Sequence, residues 1–312
     1  MTDVQTSISS FSILKAPVPI RWSFGLLGWV LILVCVGQEA YAFSASPKIL
    51  QGKQGEVLLV QVPVSGQPNQ VRGTFLKKRV LFYPVSGGVY EGLLGVDLQA
   101  KPGVHDLMVA VTYADKTSHQ VMKIQVIKEQ YPVQRLTLPE KMVDLDKKTL
   151  ARVRKEAQQV NGAFASLNPR RLWKGTFVEP VQGKVSGRFG SRRVINGQPK
   201  RPHSGEDIAA PEGTPVLAMN EGVVRLRMDH FFTGKGVILD HGLGLFSMYF
   251  HLSVIDVEEG QVVKKGQHIG KVGSSGRATG PHLHWGVRLN GSRVNPYSLI
   301  QVTQTAATPS IS

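Results

Sequence analysis

The chain has a single cysteine in 312 residues, Cys35, and it lies in an apolar segment near the N-terminus. A disulfide framework and a thiolate metal site are thereby excluded, and stability must come from packed cores alone. Val34 precedes Cys35 where lipid-attachment sites carry a small residue, which argues against a lipoprotein. A long hydrophobic run is also missing. The apolar stretch from Phe24 to Val36 falls short of the roughly 20 residues that span a bilayer. Acidic residues are scarce: 22 Asp and Glu against 37 Lys and Arg leave a formal charge of +15. No repeat of the kind that anchors a protein to a cell wall is visible.

What is present begins with an export signature. Lys15 and Arg21 precede the apolar stretch, and Ala40-Tyr41-Ala42 supplies a small-x-small cleavage pattern, so residues 1–42 are expected to form a cleaved secretory signal peptide. No stable membrane anchor is then expected. Export takes nucleic acid out of contention and leaves phospholipid or cell-wall polymer as the anionic surrounding, with a merely scattered basic surface as the plainer reading.

From 46 to 130, short alternating runs such as "EVLLVQVPV" and "HDLMVAVTY", separated by Gly, Pro and Asp-Lys turns, indicate an Ig-like antiparallel β-sandwich. Its two histidines, His105 and His119, have no partner at ligand spacing and read as structural. Residues 131–172 form a linker. Within it Asp146 can cap a helix from Lys147 to about Phe164, with Leu150, Val153, Ala157 and Val160 as its apolar stripe. The helix is expected to pack between two β-modules. Beyond 173, Gly-punctuated runs such as "GKGVILDHG" and "LFSMYFHL" indicate a second antiparallel β-domain reaching residue 300, with 301–312 as a disordered tail. The fold class is therefore mainly β: a sandwich, a short helical connector and a C-terminal antiparallel domain.

The chemistry concentrates in the second domain. In "GPHLHWG", His282 and His284 are two apart and share one face of a strand. Upstream, "RPHSGED" sets His203 four residues before Asp207. Two histidines and a carboxylate are ligands suited to zinc, and three protein ligands leave a fourth position for water, as in catalytic sites.

The segments "FGSRRVINGQPKRPHSGEDIAAPEGTPVLA", "MYFHLS" and "VKKGQHIGKVGSSGRATGPHLHWGVRLNG" together resemble the lysostaphin and LytM-type zinc metallo-endopeptidases, over about Trp173 to Leu299. The resemblance implies one zinc per chain on His203, Asp207 and His284. It further implies that His251 and His282 act on water and the oxyanion, and that peptide bonds in peptidoglycan stems or cross-links are the substrate. Either His282 alone or the pair could be the base. Arg193, Asn196, Gly197 and the loop 274–279 become candidate cleft walls. An exported enzyme of this kind without a wall-binding repeat is expected in a Gram-negative periplasm.

Three other readings differ in class. A non-catalytic LytM-like regulator of another hydrolase would have lost metal ligands, whereas all five residues are here. A biotinyl carrier would have a lysine where Asn220 follows Ala218-Met219. A secreted protease of glycine-rich proteins fits the envelope setting less well. His230, His241 and His268 are expected at turns or on the surface.

Overall fold

The computed structural model describes residues 49–140, 143–165 and 167–307. The expected signal peptide, Cys35 included, lies outside the described residues. Among the described residues no helix is long and apolar enough to cross a membrane.

Eight strands build the first module: β1 (Leu50–Lys53), β2 (Val57–Pro63), β3 (Gln70–Phe75), β4 (Lys78–Leu81), β5 (Tyr83–Val85), β6 (Val89–Gly95), β7 (Gly103–Thr112) and β8 (Thr117–Ile127). They form two sheets, in the order β1-β8-β7-β3-β4 and β2-β6-β5. The pattern of alternate burial explains the pairing. On β7, Leu107, Val109 and Val111 turn inward to meet Val71, Phe75, Ile124 and Val126, while Val104 and Met108 stay exposed. β1, which the spacing of apolar runs does not announce, adds in parallel to β8.

The smaller sheet contributes to a core on each of its faces. Leu94 joins the sandwich core, whereas its neighbour Leu93, together with Val57, belongs to the core that contains Trp173, Phe177, Val216 and Leu239. The two β-modules therefore share apolar surface. Asp97 reinforces that junction, taking Arg293 Nη2 at 2.7 Å and the Arg293 backbone N–H at 2.9 Å.

After β9 (Val133–Leu136) comes α1 (Lys147–Ala165), capped as expected: Asp146 Oδ1 accepts the Thr149 backbone N–H at 2.7 Å. Its stripe is used only in part. Leu150 remains 38% exposed, while Val160, Ala163 and Phe164 pack on Met228, Ile238, Phe246, Met248 and Phe250. The helix thus packs on the large sheet of the second module instead of lying between modules.

That module contains β10 (Lys184–Gly187), β11 (Arg192–Ile195), β12 (Gln198–Pro199), β13 (Gly205–Ala209), β14 (Pro215–Leu217), β15 (Gly222–His230), β16 (Gly234–Gly242), β17 (Leu245–Ile255), β18 (Val262–Val263), β19 (His268–Val272), β20 (His282–Leu289) and β21 (Ser292–Val294). The main antiparallel sheet runs β10-β13-β20-β17-β16-β15-β18, and β14, β19 and β21 add to it. A helix, α2 (Pro296–Ala307), closes the module. Residues 301–307, expected in a disordered tail, continue this helix, because Leu299, Ile300 and Thr303 are buried and anchor it.

Candidate metal centre

β13 and β20 pair antiparallel with Asp207 opposite His284 and Ala209 opposite His282. Period-2 alternation then puts Asp207, His282 and His284 on one face. His203 stands just before β13. Its backbone N–H donates to Ser191 O at 2.9 Å and its carbonyl accepts from Gly190 N at 2.8 Å, which brings the ring over the same face.

Three atoms converge. His203 Nε2 lies 3.0 Å from His284 Nδ1 and 3.0 Å from Asp207 Oδ1, and His284 Nδ1 lies 2.8 Å from Asp207 Oδ1. This is a nearly equilateral triangle of lone-pair donors, close to the roughly 3.3 Å edge of a tetrahedron with zinc–ligand bonds of about 2.0–2.1 Å. Among the described residues it is the one cluster of three or more His, Cys, Asp or Glu side chains that could hold a metal ion. The donor set, two imidazoles and a carboxylate, fits zinc.

A hydrogen bond on its far side orients the His203 ring. His203 Nδ1 donates to Arg188 O at 3.0 Å, which leaves Nε2 as a lone pair aimed at the triangle. Burial, with repulsion from His284, pushes His203 down to about 4, so the ring stays neutral. Burial alone would raise Asp207, but its close contacts with His203 and His284 hold its carboxyl far below the usual range. Its second oxygen, Oδ2, receives Arg193 Nη2 at 2.7 Å. Phe250, opposite His284 across β17 and β20, stacks on the His284 ring with centroids 5.6 Å apart.

His251 reaches the site through a bulge. From Tyr249 to Leu252 β17 takes three steps, against two on β16 from Val237 to Lys235. His251 absorbs the surplus at φ 65°, the left-handed region. Phe250 and His251 would point oppositely on a regular strand, yet both contact His284, whose ring centroid is 6.1 Å from that of His251. The His251 and His282 rings are 4.7 Å apart. Their Nδ1 atoms donate to Ser275 O and Gly280 O, each at 2.8 Å, so both rings keep Nε2 as an acceptor. Burial, then His284, pushes His251 down to about 3.

A cavity of about 270 Å³ adjoins this cluster. Its walls include Arg193 and part of the loop 274–279, as the sequence indicates, together with Gln134, Leu136 and Leu138 from the linker, which it does not. β9 lies parallel to β11, with Gln134 opposite Arg193, and Gln134 Oε1 accepts Arg193 Nε at 3.1 Å. Asn196, at φ 50° in the β11–β12 hairpin, fixes the end of this strand by accepting Leu138 N and donating to Leu138 O, both at 2.9 Å.

The other histidines stay apart from the cluster. His241, expected at a turn or on the surface, is fully buried in β16 between Glu221 O and Ser247 Oγ. His230 is also buried and bonds Gln159 Oε1 at 3.0 Å, whereas His268 is half-exposed beside Asp256. Both buried rings lie on strands that run past the apparent turn residues of the sequence.

Residues 201–296 match peptidase family M23. A solved structure described as a putative peptidase M23 from Pseudomonas aeruginosa is 34% identical, with a TM-score of 0.63, and the match covers 80% of this chain and 95% of that one. The chain belongs to peptidase family M23. Among curated relatives of this M23 chain, the peptidoglycan DD-endopeptidase ShyA of Vibrio cholerae is 43% identical over 139 residues, covering 43% of this chain and 32% of ShyA. The DD-carboxypeptidase/endopeptidase Mpg of Neisseria meningitidis is 44% identical over 128 residues, covering 40% and 30%. The M23 chain thus spans about a third of the length of these relatives.

Proposed function

We propose that this M23 chain is an exported zinc metallo-endopeptidase that hydrolyses peptide bonds in peptidoglycan, with a D-alanyl to diaminopimelate cross-link as the expected bond and the periplasm as the expected compartment. The observation that carries the reading is the donor triangle of His203 Nε2, Asp207 Oδ1 and His284 Nδ1. The name of ShyA, a peptidoglycan DD-endopeptidase, supports the substrate class, and that of Mpg, a DD-carboxypeptidase/endopeptidase, supports the endopeptidase reading.

His203, Asp207 and His284 would hold one zinc. Once bound, the metal supplies Lewis acidity, lowering the pKa of a water and polarising a carbonyl. With one anionic ligand the centre keeps a net positive charge. His282 Nε2, 3.8 Å from Asp207 Oδ1, stands beside the triangle and accepts the proton of the attacking water. As an imidazolium it then donates from the same atom to the leaving amine. His251 adds a second acceptor at Nε2, so that either ring of the pair can take that proton. The linker strand β9, the Arg193 side chain and the loop at Arg277 to Thr279 wall the cleft and orient the peptide.

The test is release of soluble fragments from purified sacculi by the full chain, with and without a zinc chelator. Zinc-dependent release whose product masses report a cleaved cross-link supports the reading. No release by the folded, zinc-loaded chain overturns it in favour of a regulator of another hydrolase.

A further inference from the structure

His251 is held in a conformation that its residue type resists. At φ 65° it lies in the left-handed region, where a non-glycine residue persists only when its surroundings over-determine it. Two contacts do so. The His251 backbone N–H donates to Thr233 O at 2.9 Å, and its ring Nδ1 donates to Ser275 O at 2.8 Å. Both lead to one place. Thr233 belongs to the turn Phe231-Phe232-Thr233 between β15 and β16, and Gly276 presses on that turn so closely that a Cβ there would collide with Phe232 O and the Gly234 backbone. The position of this turn therefore sets the position of His251.

The turn is in its own right fixed by the linker helix α1. Phe231 lies beyond the last pair of the ladder, His230 with Gly234, and its N–H goes to the helix instead: Glu156 Oε2 accepts it at 3.0 Å. Glu156 Oε1 accepts Arg152 Nε at 2.6 Å. Arg152 Nη2 also donates to Asp229 O at 3.3 Å, and Gln159 Oε1 accepts His230 Nε2 at 3.0 Å. Arg152, Glu156 and Gln159 recur at steps of four and three, so they form one polar face of α1, beside the apolar face of Val160, Ala163 and Phe164 that packs on the sheet. The Glu156 bond is more than a surface contact. A carboxylate that accepts an N–H is charge-assisted, and this side chain is only 12% exposed.

We propose that Glu156 is a positioning residue of the metal centre: through the Phe231 N–H it holds the β15–β16 turn, and through that turn it holds the His251 ring beside His282, although Glu156 does not line the cavity at the donor triangle. The proposal rests on the peptidase reading above, in which His251 and His282 handle the proton of the attacking water.

Glu156→Ala and Glu156→Gln, made in the full zinc-loaded chain, test it. Glutamine keeps an acceptor for Phe231 and loses only the ion pair with Arg152, an exposed partner whose loss costs little. Glu156→Ala should lower kcat on cross-linked stem peptides roughly ten- to hundredfold with KM and zinc content unchanged, the size that a displacement of about 1 Å at a reacting group produces. Glu156→Gln should recover most of that loss. In a His251→Ala background, Glu156→Ala should cost less than about twofold more, because the residue it acts through is gone. An undiminished kcat in a folded Glu156→Ala, or the full loss repeated on top of His251→Ala, overturns the proposal. Amide hydrogen exchange reads the same contact without turnover: it should quicken at Phe231 and His251 in Glu156→Ala and not in Glu156→Gln. That pattern in a chain that hydrolyses nothing would count against the peptidase reading and for the positioning contact, whereas unchanged exchange at His251 overturns the proposal whatever the turnover.

Discussion

Asp207 Oδ1 and His284 Nδ1 stand 2.8 Å apart, on residues that are direct cross-strand partners of β13 and β20. The sheet register itself sets the donor geometry, and His203 is brought to it from outside the strand. Zinc should therefore stabilise the folded chain, by about 2.7 kcal/mol at a free concentration a hundred times the Kd. Thermal melts with and without zinc measure this. Asp207→Asn, which removes the anionic ligand, should abolish the shift and weaken zinc by more than the roughly 10- to 100-fold typical of losing an outer-shell partner.

His251 and His282 predict a different pattern. Neither belongs to the triangle, and each holds its Nδ1 proton on a backbone carbonyl. His251→Ala and His282→Ala should each retain one zinc per chain, measured by elemental analysis, while lowering kcat by about 10² to 10⁴.

Gly276→Ala acts at a distance through the same histidine. The added methyl would collide with the backbone of Phe232 and Gly234, in a residue already at φ 72°. It would displace Ser275, whose carbonyl accepts the His251 proton and whose hydroxyl donates to Leu252 O at 2.7 Å. A misplacement of about 1 Å can cost roughly 100-fold in rate. The expected result is a kcat loss of about that size with zinc content unchanged.

Asn196 ties the linker strand to the cleft. Asn196→Ala removes two hydrogen bonds to Leu138 and places alanine at φ 50°, at a combined cost of about 2–3 kcal/mol. Asn196→Gly relieves the backbone and leaves the bonds broken, so it should cost less. Hydrogen exchange of residues 133–138 should accelerate in both, more in the alanine variant.

The buried histidine of β16 is one source of pH dependence, beside His203 and His251, which burial pushes the same way. Burial pushes His241 down from an ordinary 6.5 to about 4. Between these values the unfolded chain binds a proton there that the folded chain refuses, so stability is full above about 6.5 and falls as pH drops toward 4. The full extent is on the order of 3 kcal/mol. Melts across this window should fall with acidity, and His241→Gln should make the fall shallower without abolishing it, since His203 and His251 contribute in the same direction.

The alternation of β7 and β8, the Asp146 cap and the one-face placement of His282 with His284 were legible in the chain because period and capping are local properties. His203 with Asp207 could be paired only by spacing, and His251 entered through the family resemblance alone. Its position depends on a bulge that no alternation rule reveals. β9 was hidden for another reason: "VQRL" is too short to show a period, and its partner β11 lies some sixty residues away. The burial of His241 and the partial use of the α1 stripe likewise depend on neighbours that are distant in sequence.

In the proposed reading, one metal on His203, Asp207 and His284 drives peptide hydrolysis. The most direct measurement titrates zinc into the metal-stripped full chain and follows fragment release from sacculi in the same samples. Release should rise in proportion to bound zinc and level at one equivalent, with none in His284→Ala. Undiminished release by the stripped chain, or by a zinc-free His284→Ala, would contradict it.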